Sequence, residues 1–320
     1  MRAARLLFTA ILLLPLVVQG ADFKLAFPVD CSLGQDCAIQ NYVDVDPGAG
    51  WRDYQCGFLS YDGHKGTDIR IRDYRAMAKG VAVLAAADGV VLGTRNDMDD
   101  RGPDTTYDAY LKKHSGKECG NGVVLGHGEG FQTQYCHLMK GSVAVEKGDR
   151  VRQGDVLGTI GLSGKTQFPH LHISVRQDKK VVDPFTGVCG DTGTTLWKDA
   201  IGYTGTQLLK FGFADGPQTL ESIERGVAPH AGADSPALVF WANVIGIREG
   251  DMQEVTIRKP DGSLLVRNSQ TIEKSKVNWL SYIGKKRPQG GWPKGIYTAV
   301  YFLEREGAPI IAHETSLRIK

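Results

Sequence analysis

The sequence carries little net charge and, after its first twenty residues, has no long apolar run. Lys and Arg number 38 against 36 Asp and Glu, which gives a formal charge of +2 at pH 7. A nearly neutral chain argues against a polyanion-binding surface as the main function. No later stretch approaches the roughly 18 apolar residues of a membrane-spanning helix, so we expect no membrane span in the processed chain. Internal repeats of solenoid length are also absent from the sequence.

The N-terminus has the pattern of a secretory signal peptide. A basic segment, Met1–Arg5, precedes the apolar run Leu6–Val18, and small residues follow up to Gly20. We therefore expect residues 1–20 to be removed and the protein to be exported, either to a periplasm or to the medium. Removal of Arg2 and Arg5 leaves 36 basic and 36 acidic side chains. No cysteine stands directly after the cleavage point, so a lipid anchor is not indicated.

The six cysteines all lie beyond the predicted signal peptide. An even number in an exported chain favours disulfide bonds over free buried thiols. Cys31 and Cys37 could close a small loop. The other four allow three pairings, among which we favour Cys119 with Cys136; these four are Cys56, Cys119, Cys136 and Cys189.

Short apolar runs and abundant turn residues predict an all-β fold. Glycine contributes 40 residues, and alternating segments are interrupted by turns. Three hairpins are predicted in the first half of the chain: Val81–Ala85 with Gly89–Gly93, Val123–Leu125 with Phe131–Tyr135, and His170–Arg176 with Lys180–Asp183.

Composition divides the processed chain into four parts. Residues 21–59 form a cysteine-bearing leader with little periodicity, and residues 60–188 form a compact antiparallel β domain. A Gly- and Thr-rich linker, residues 189–205, leads to residues 206–320. Strand-like segments recur there at the spacing of a small antiparallel β-sandwich, namely Ala237–Val244, Glu254–Arg258, Leu264–Arg267, Gly295–Leu303 and Pro309–Ile319. This last part has no cysteine, and His230 and His313 lack ligand spacing, so we interpret it as a binding or packing module.

A polar stretch from Arg95 to Glu118 separates two of the hairpins and contains five aspartates. A solvated surface loop is the simplest interpretation. A calcium site is the alternative, although the spacing of a calcium-binding loop is absent. Because long loops in compact domains often border a binding cleft, we treat this stretch as a candidate cleft wall.

The candidate site residues form three clusters in the same half of the chain. His64 and Asp68 are four residues apart, His170 and His172 are two apart, and His137 lies between these clusters. Side chains two residues apart on a strand point to the same face. Imidazoles with a carboxylate are the ligand types of a zinc site with an open coordination position. Each cluster alone is weak, since an isolated His is more often a hydrogen-bonded core residue; their joint placement at predicted strand ends makes the hypothesis stronger.

In this order the motifs resemble the lysostaphin-type zinc metalloendopeptidases, which include peptidoglycan hydrolases. The resemblance covers residues 60–185 and rests on four motifs: His64-x-x-x-Asp68, Tyr135-x-His137-Leu138, the Gly-Asp-x-Val run at 148–158, and Pro169-His170-Leu171-His172. It implies a compact antiparallel β fold with a cleft across the sheet. It also implies one Zn²⁺ bound by His64, Asp68 and His172, with peptidoglycan peptide stems as substrate.

By the same resemblance His137 and His170 line the reaction centre without binding the metal. The domain has no His-Glu-x-x-His helix to provide a glutamate base, so these two imidazoles are the candidates for base and oxyanion stabiliser, in either order. Phe168 stands where relatives often carry glycine, so a bulky side chain lies near the predicted cleft.

Three alternatives remain beside a cell-wall endopeptidase. The chain could be a zinc peptidase acting on proteins or peptides. It could also be a non-catalytic regulator of another hydrolase, although such relatives usually lose a metal or base residue, and all five are present here. A lipoyl-type carrier module built on Gly148–Gly158 fits poorly with an exported chain that bears a His pair.

Overall fold

A computed structural model describes residues 23–102, 105–190, 193–227 and 229–320. The predicted signal peptide lies outside these described residues. Within them the chain forms seventeen strands and three short helices. The strands are β1 (Cys37–Asn41), β2 (Thr67–Ile71), β3 (Ala82–Leu84), β4 (Gly89–Arg95), β5 (Asn121–Gly128), β6 (Phe131–Leu138), β7 (Arg150–Val151), β8 (Val156–Thr159), β9 (His170–Gln177), β10 (Lys180–Val182), β11 (Gln207–Ala214), β12 (Ala237–Ile247), β13 (Met252–Arg258), β14 (Leu264–Thr271), β15 (Lys276–Lys286), β16 (Gly295–Arg305) and β17 (Ala308–Ile319). The helices are α1 (Tyr74–Lys79), α2 (Tyr107–Lys113) and α3 (Leu220–Glu224).

The first half of the chain is organised around one antiparallel sheet. Its strand order is β1-β2-β9-β6-β5-β4-β7, with β10 attached to β9, and β3 pairs with β8 in a separate two-stranded sheet. Because side chains alternate along the central strands, the two faces of the sheet have different residues. Ile69 and Ile71 on β2 and Leu171 and Ile173 on β9 all enter the first hydrophobic core. The residues between them on both strands therefore face the other side of the sheet, where the candidate site lies.

The leader is an integral part of this fold. Its residues 37–41 form β1, which pairs with β2. Leu25, Val29 and Tyr42 are buried in the same core as the central strands. The leader is thus firmly attached although its sequence lacks periodicity. Single buried apolar residues anchor it, and it has no regular apolar stripe. The predicted domain boundaries themselves remain predictions.

Two of the three predicted hairpins are confirmed, and the first is wrong. β5 pairs with β6, and β9 pairs with β10. In contrast, β3 pairs with β8, while β4 pairs with β5 and β7. The backbone between β3 and β4 has other partners: Ala85 donates to Asp155 O, and Ala86 accepts from Ala26 N. These contacts carry the chain from the small sheet to the large one, so Asp88-Gly89 does not close a hairpin.

The polar stretch after β4 contains more structure than a surface loop. Helix α2 begins after Thr106, whose side chain accepts a hydrogen bond from Ala109 N. Tyr110 on this helix is buried, and its hydroxyl donates to Asp99 O. Met98 and Arg101 are buried as well. Since burial of these side chains ties the stretch to the domain, the prediction of a fully solvated loop is wrong.

The C-terminal part has two antiparallel sheets that share one core. Their strand orders are β11-β12-β15 and β14-β13-β16-β17. Leu238 and Phe240 from the first sheet meet Val255 and Tyr301 from the second in this core. The predicted antiparallel architecture is therefore present. Strands β11 and β15 were not predicted from the sequence.

A buried ion-pair network joins the two parts of the chain. Arg70 on β2 is fully buried, and its guanidinium donates to Gln40 Oε1 at 2.6 Å and to Glu224 Oε1 at 2.5 Å. The other Glu224 oxygen accepts from Lys210 on β11 at 2.9 Å. Burial lowers the pKa of Lys210 to about 8, against the opposing effect of Glu224. A buried charge left without its partner is costly, so this network constrains how α3 and β11 lie against the large sheet.

Three disulfides connect the six cysteines: Cys31–Cys37, Cys56–Cys189 and Cys119–Cys136. The two pairings favoured from the sequence are both present. Cys56–Cys189 ties the leader to the segment that follows β10. Among the described residues, no helix combines the length and apolar character needed to cross a membrane.

We expect loss of Cys56–Cys189 to destabilise the fold more than loss of Cys31–Cys37. Their sequence separations are 133 and 6. The chain-entropy model gives roughly 5 kcal/mol for the longer loop and about 2 kcal/mol for the shorter. Urea unfolding of the Cys56→Ser/Cys189→Ser and Cys31→Ser/Cys37→Ser double variants measures both free energies. Equal losses in the two variants would contradict this ranking.

Candidate metal centre

Strand register brings the predicted site residues together. In the β2–β9 pair, Asp68 lies opposite His172 and Arg70 lies opposite His170. In the β6–β9 pair, Cys136 lies opposite His172, which places His137 next to the same point. His64 enters from the turn that precedes β2. All five predicted residues therefore converge on one face of the sheet.

Three of the five present their ligand atoms as a compact triangle. His64 Nε2 lies 3.1 Å from Asp68 Oδ1 and 3.2 Å from His172 Nδ1, and the third side, His172 Nδ1 to Asp68 Oδ1, is 2.9 Å. Ligands at 2.0–2.1 Å from a tetrahedral zinc ion are roughly 3.3 Å apart. The triangle is close to this size, and its two imidazoles and one carboxylate suit a metal that keeps an open position. The group can thus hold a metal ion.

Neighbouring residues orient these side chains. His64 Nδ1 is 2.6 Å from the Tyr42 carbonyl oxygen, which requires the proton on Nδ1 and leaves the Nε2 lone pair on the triangle. Asn41 donates from Nδ2 to Asp68 Oδ2 at 2.9 Å, so the other carboxylate oxygen stays on the triangle. Sequence analysis missed both partners, since they lie in the leader and carry no ligand motif. Only the pairing of β1 with β2 brings them here.

Electrostatics favour the metal-binding forms of Asp68 and His172 and oppose the metal-binding form of His64. Burial opposes ionisation of Asp68, but the nearby imidazoles His64, His170 and His172 outweigh it and hold its pKa well below the usual range. Burial lowers the pKa of His172. Burial acts in the same direction on His64, yet the Asp68 carboxylate and hydrogen bonds raise its pKa overall. A metal must displace any proton from the Nε2 of that imidazole, so its binding is coupled to pH.

A β-bulge turns His137 toward the site. Tyr135 and Leu138 both enter the core, three residues apart on one strand, and the β5–β6 register shifts at this point. His137 has a positive φ of 65°, uncommon for a residue other than glycine, which reverses its direction. A Cβ on the facing Gly122 would lie 2.2 Å from the Tyr135 carbonyl oxygen, so glycine is needed opposite the bulge.

His137 is held as a neutral imidazole with one free nitrogen. Its Nδ1 is 2.8 Å from the Ser163 carbonyl oxygen and therefore donates its proton there. Burial, with the charges of His170 and His172, lowers the pKa of His137 well below its usual value. The unprotonated Nε2 is the form that a general base requires. The neighbouring Cys119–Cys136 bond also restrains the strand, and His137 N donates to Cys119 O at 2.8 Å.

His170 faces the same centre from β9. Its Nε2 lies 3.4 Å from Asp68 Oδ1, and its ring centroid is 4.7 Å from that of His137. Its Nδ1 lies 3.0 Å from the Phe168 carbonyl oxygen and 3.1 Å from Thr166 Oγ1. These contacts fix Nδ1 as the donor and leave Nε2 on the side of Asp68. The Phe168 ring packs at 4.6 Å from the His170 ring, so this phenylalanine lies beside the candidate centre.

Residues 62–184 match the model of Peptidase family M23. This stretch is therefore a Peptidase M23 (lysostaphin-type) domain, and the resemblance inferred over residues 60–185 is confirmed. The family is one of metallopeptidases, which agrees with the His-Asp-His group in the structure.

Known proteins with similar sequences include two that are named as endopeptidases. The chain is 35% identical over 109 residues to Peptidoglycan DD-endopeptidase ShyA of Vibrio cholerae, covering 34% of this chain and 19% of that protein. It is 34% identical over 112 residues to DD-carboxypeptidase/endopeptidase Mpg of Neisseria meningitidis, covering 35% of this chain and 21% of that protein. The matched stretch thus spans about a fifth of each relative. Among solved structures, the catalytic domain of lysostaphin from Staphylococcus simulans is 20% identical with a TM-score of 0.28, covering 45% of this chain and 85% of that one.

We expect Gly66→Ala to weaken metal binding. A Cβ at position 66 would lie 2.6 Å from His172 Cε1 and Nε2 and from the Ile173 carbonyl oxygen, so the imidazole must move. Changes that disturb ligand orientation typically cost about 10–100-fold in metal affinity. Gly93→Ala on β4 is the matched control, since its Cβ would meet no atom within 4 Å. Competition of each purified variant with a zinc chelator measures the affinity, and equal values for both variants would refute the steric argument.

Proposed function

We propose that this Peptidase family M23 domain makes the chain an exported zinc metalloendopeptidase that hydrolyses peptide cross-links of peptidoglycan. The observation that carries the proposal is the triangle of His64, Asp68 and His172 with His137 and His170 beside it. The three ligand atoms lie 2.9–3.2 Å apart, and the tautomer of His64 is fixed by its contact with Tyr42 O. Both features fit a three-ligand zinc site. Zinc held there supplies Lewis-acid chemistry, lowering the pKa of a water to about 7 and polarising a carbonyl.

The two further imidazoles supply the proton handling. His137 is neutral with Nδ1 committed to Ser163 O, so its Nε2 takes a proton from the attacking water. His170 directs Nε2 to within 3.4 Å of the Asp68 carboxylate. When it carries a second proton, its Nε2–H donates to the oxygen on which negative charge develops as the scissile carbonyl becomes tetrahedral. His137 can later pass the proton it took from the water to the leaving amine.

Substrate and compartment are supported by other observations. The two relatives are named for activity on peptidoglycan or as DD-carboxypeptidase/endopeptidase. Peptidoglycan lies outside the cytoplasm, and the three disulfides are typical of oxidising compartments. The predicted signal peptide agrees with this. All five site residues converge in the structure, which favours an enzyme over a non-catalytic regulator.

Alanine variants are expected to separate metal binding from catalysis. The processed wild-type chain should bind about one zinc ion, and both His64→Ala and His172→Ala should lose it, since each removes one of three ligands. His137→Ala should keep the zinc and lose about 10²–10⁴-fold in activity, the usual contribution of a general base. His230→Ala, at an exposed position, is the control. Elemental analysis of purified variants measures the metal; full zinc retention in His172→Ala would exclude it as a ligand.

Purified peptidoglycan is expected to be the preferred substrate. Digestion by the zinc-loaded chain should release new amino termini and reduce the cross-linked fraction, and prior removal of zinc by a chelator should abolish both. A denatured protein and a peptide library serve as competing substrates. Preferential cleavage of these would support the protein-peptidase alternative, whereas no hydrolysis of any substrate would support a non-catalytic regulator.

A further inference from the structure

A cavity of about 500 Å³ adjoins the candidate metal centre. Its walls come from α1, the segment before α2, the Gln167-Phe168 turn, helix α3 and Asn278 on β15. This volume is within the 300–1,000 Å³ usual for small-ligand sites. Phe168 connects the cavity to the centre, because its ring lines the cavity and also packs against His170 at 4.6 Å. Helix α3 and Asn278 lie outside residues 62–184, so the cavity extends beyond the stretch that matches the family.

Arg101 is a buried cation in the wall of this cavity, with only 8% of its surface exposed. A guanidinium has five N–H donors. One good hydrogen bond is present, from Nη2 to the Tyr74 hydroxyl at 3.0 Å. Contacts to the carbonyl oxygens of Thr105 and Gln167 are long, at 3.5 Å, and Nε has no hydrogen-bond partner among the described residues. A buried cation whose N–H groups lack acceptors destabilises the folded protein, unless an anion accepts hydrogen bonds from those groups.

The acidic side chains nearby are already engaged. Glu221 Oε1 is 3.9 Å from Arg101 Nη1, beyond hydrogen-bonding distance, and the same oxygen accepts from Arg225 at 2.8 and 3.1 Å. Glu224 accepts from Arg70 and Lys210. Within this group four basic side chains face two carboxylates. Of these charged side chains, Arg101, Glu221 and Glu224 line the cavity, and both carboxylates have nearer basic partners. The Arg101 guanidinium is the charged group of the wall that keeps unused donors.

From this geometry we propose that the Arg101 cavity is a substrate subsite that binds a free carboxylate of the peptide being cut. The inference rests on the proposed function, since the peptide is taken to lie across the metal centre. A planar carboxylate matches the guanidinium fork and can accept two parallel hydrogen bonds. A peptide that runs from His170 past the Phe168 ring places such a group against Arg101. The enzyme therefore selects acidic peptide stems over their amidated forms.

Direct binding tests the subsite without hydrolysis. The probe is a soluble stem tetrapeptide released from peptidoglycan, with its carboxylates either free or converted to amides, titrated into the zinc-loaded full chain by calorimetry. The free form should bind roughly ten- to a hundredfold more tightly, the range for charge-assisted hydrogen bonds. Arg101→Gln should abolish the difference, and Arg101→Lys should keep part of it. Arg72→Gln, which removes an exposed positive charge, should leave it unchanged.

The outcomes distinguish this subsite from the proposed function. Equal binding of the two peptides by wild type overturns the subsite, and this comparison requires no variant to fold. Preferential binding of the free form, lost in Arg101→Gln, supports the subsite even if peptidoglycan is not hydrolysed, in which case only the proposed function fails. Hydrolysis of free and amidated peptidoglycan with equal kcat/KM refutes the subsite and leaves the proposed function in place.

Discussion

The pairing of β2 with β9 is the constraint on which the rest of the site depends. It sets Asp68 opposite His172 and Arg70 opposite His170, while Ile69 and Leu171 point into the core from the same strands. A shift of one residue in this register would exchange the faces, turning the carboxylate into the hydrophobic core and the isoleucine toward the site. The hydrophobic core therefore holds the ligand geometry in place, since slippage would cost the burial of the central strands.

The same row of side chains links the candidate metal centre to the C-terminal part. Arg70 lies two residues beyond Asp68 on the same face, and its guanidinium sits 4.7 Å from the Phe168 ring centroid. The Phe168 ring in turn packs on His170, while the far side of Arg70 binds Glu224 on α3. A single buried chain of contacts thus runs from the C-terminal part to the candidate metal centre. It ties that part physically to the candidate centre.

Whether a residue of the candidate site could be predicted depended on the sequence separation between that residue and the residues it contacts. His64, Asp68, His137, His170 and His172 could be named as candidates because short spacings and motifs that resemble a known family are local properties of the sequence. Asn41 and Tyr42 could not, since they contribute an amide and a backbone carbonyl from a segment without periodicity. Arg101 was hidden for a similar reason. It lies in a stretch whose polar composition suggested solvent, whereas burial of Tyr110 and Met98 ties that stretch to the domain. The false hairpin at Asp88-Gly89 shows the converse error, in which a good local turn signal was overridden by long-range backbone partners.

The sequence by itself determined the β character, the candidate metal-ligand residue types and the domain family, because these depend on composition, period-two alternation and motif spacing. Only the tertiary structure decided which atoms face one another. It assigned Nε2 of His64 and Nδ1 of His172 to the triangle, turned His137 through a bulge, and placed Arg101 in a cavity shared with α3. Such facts arise from register, burial and contacts between residues distant in the chain, for instance the 154 residues between Arg70 and Glu224. Local sequence patterns carry no information on pairings of that range.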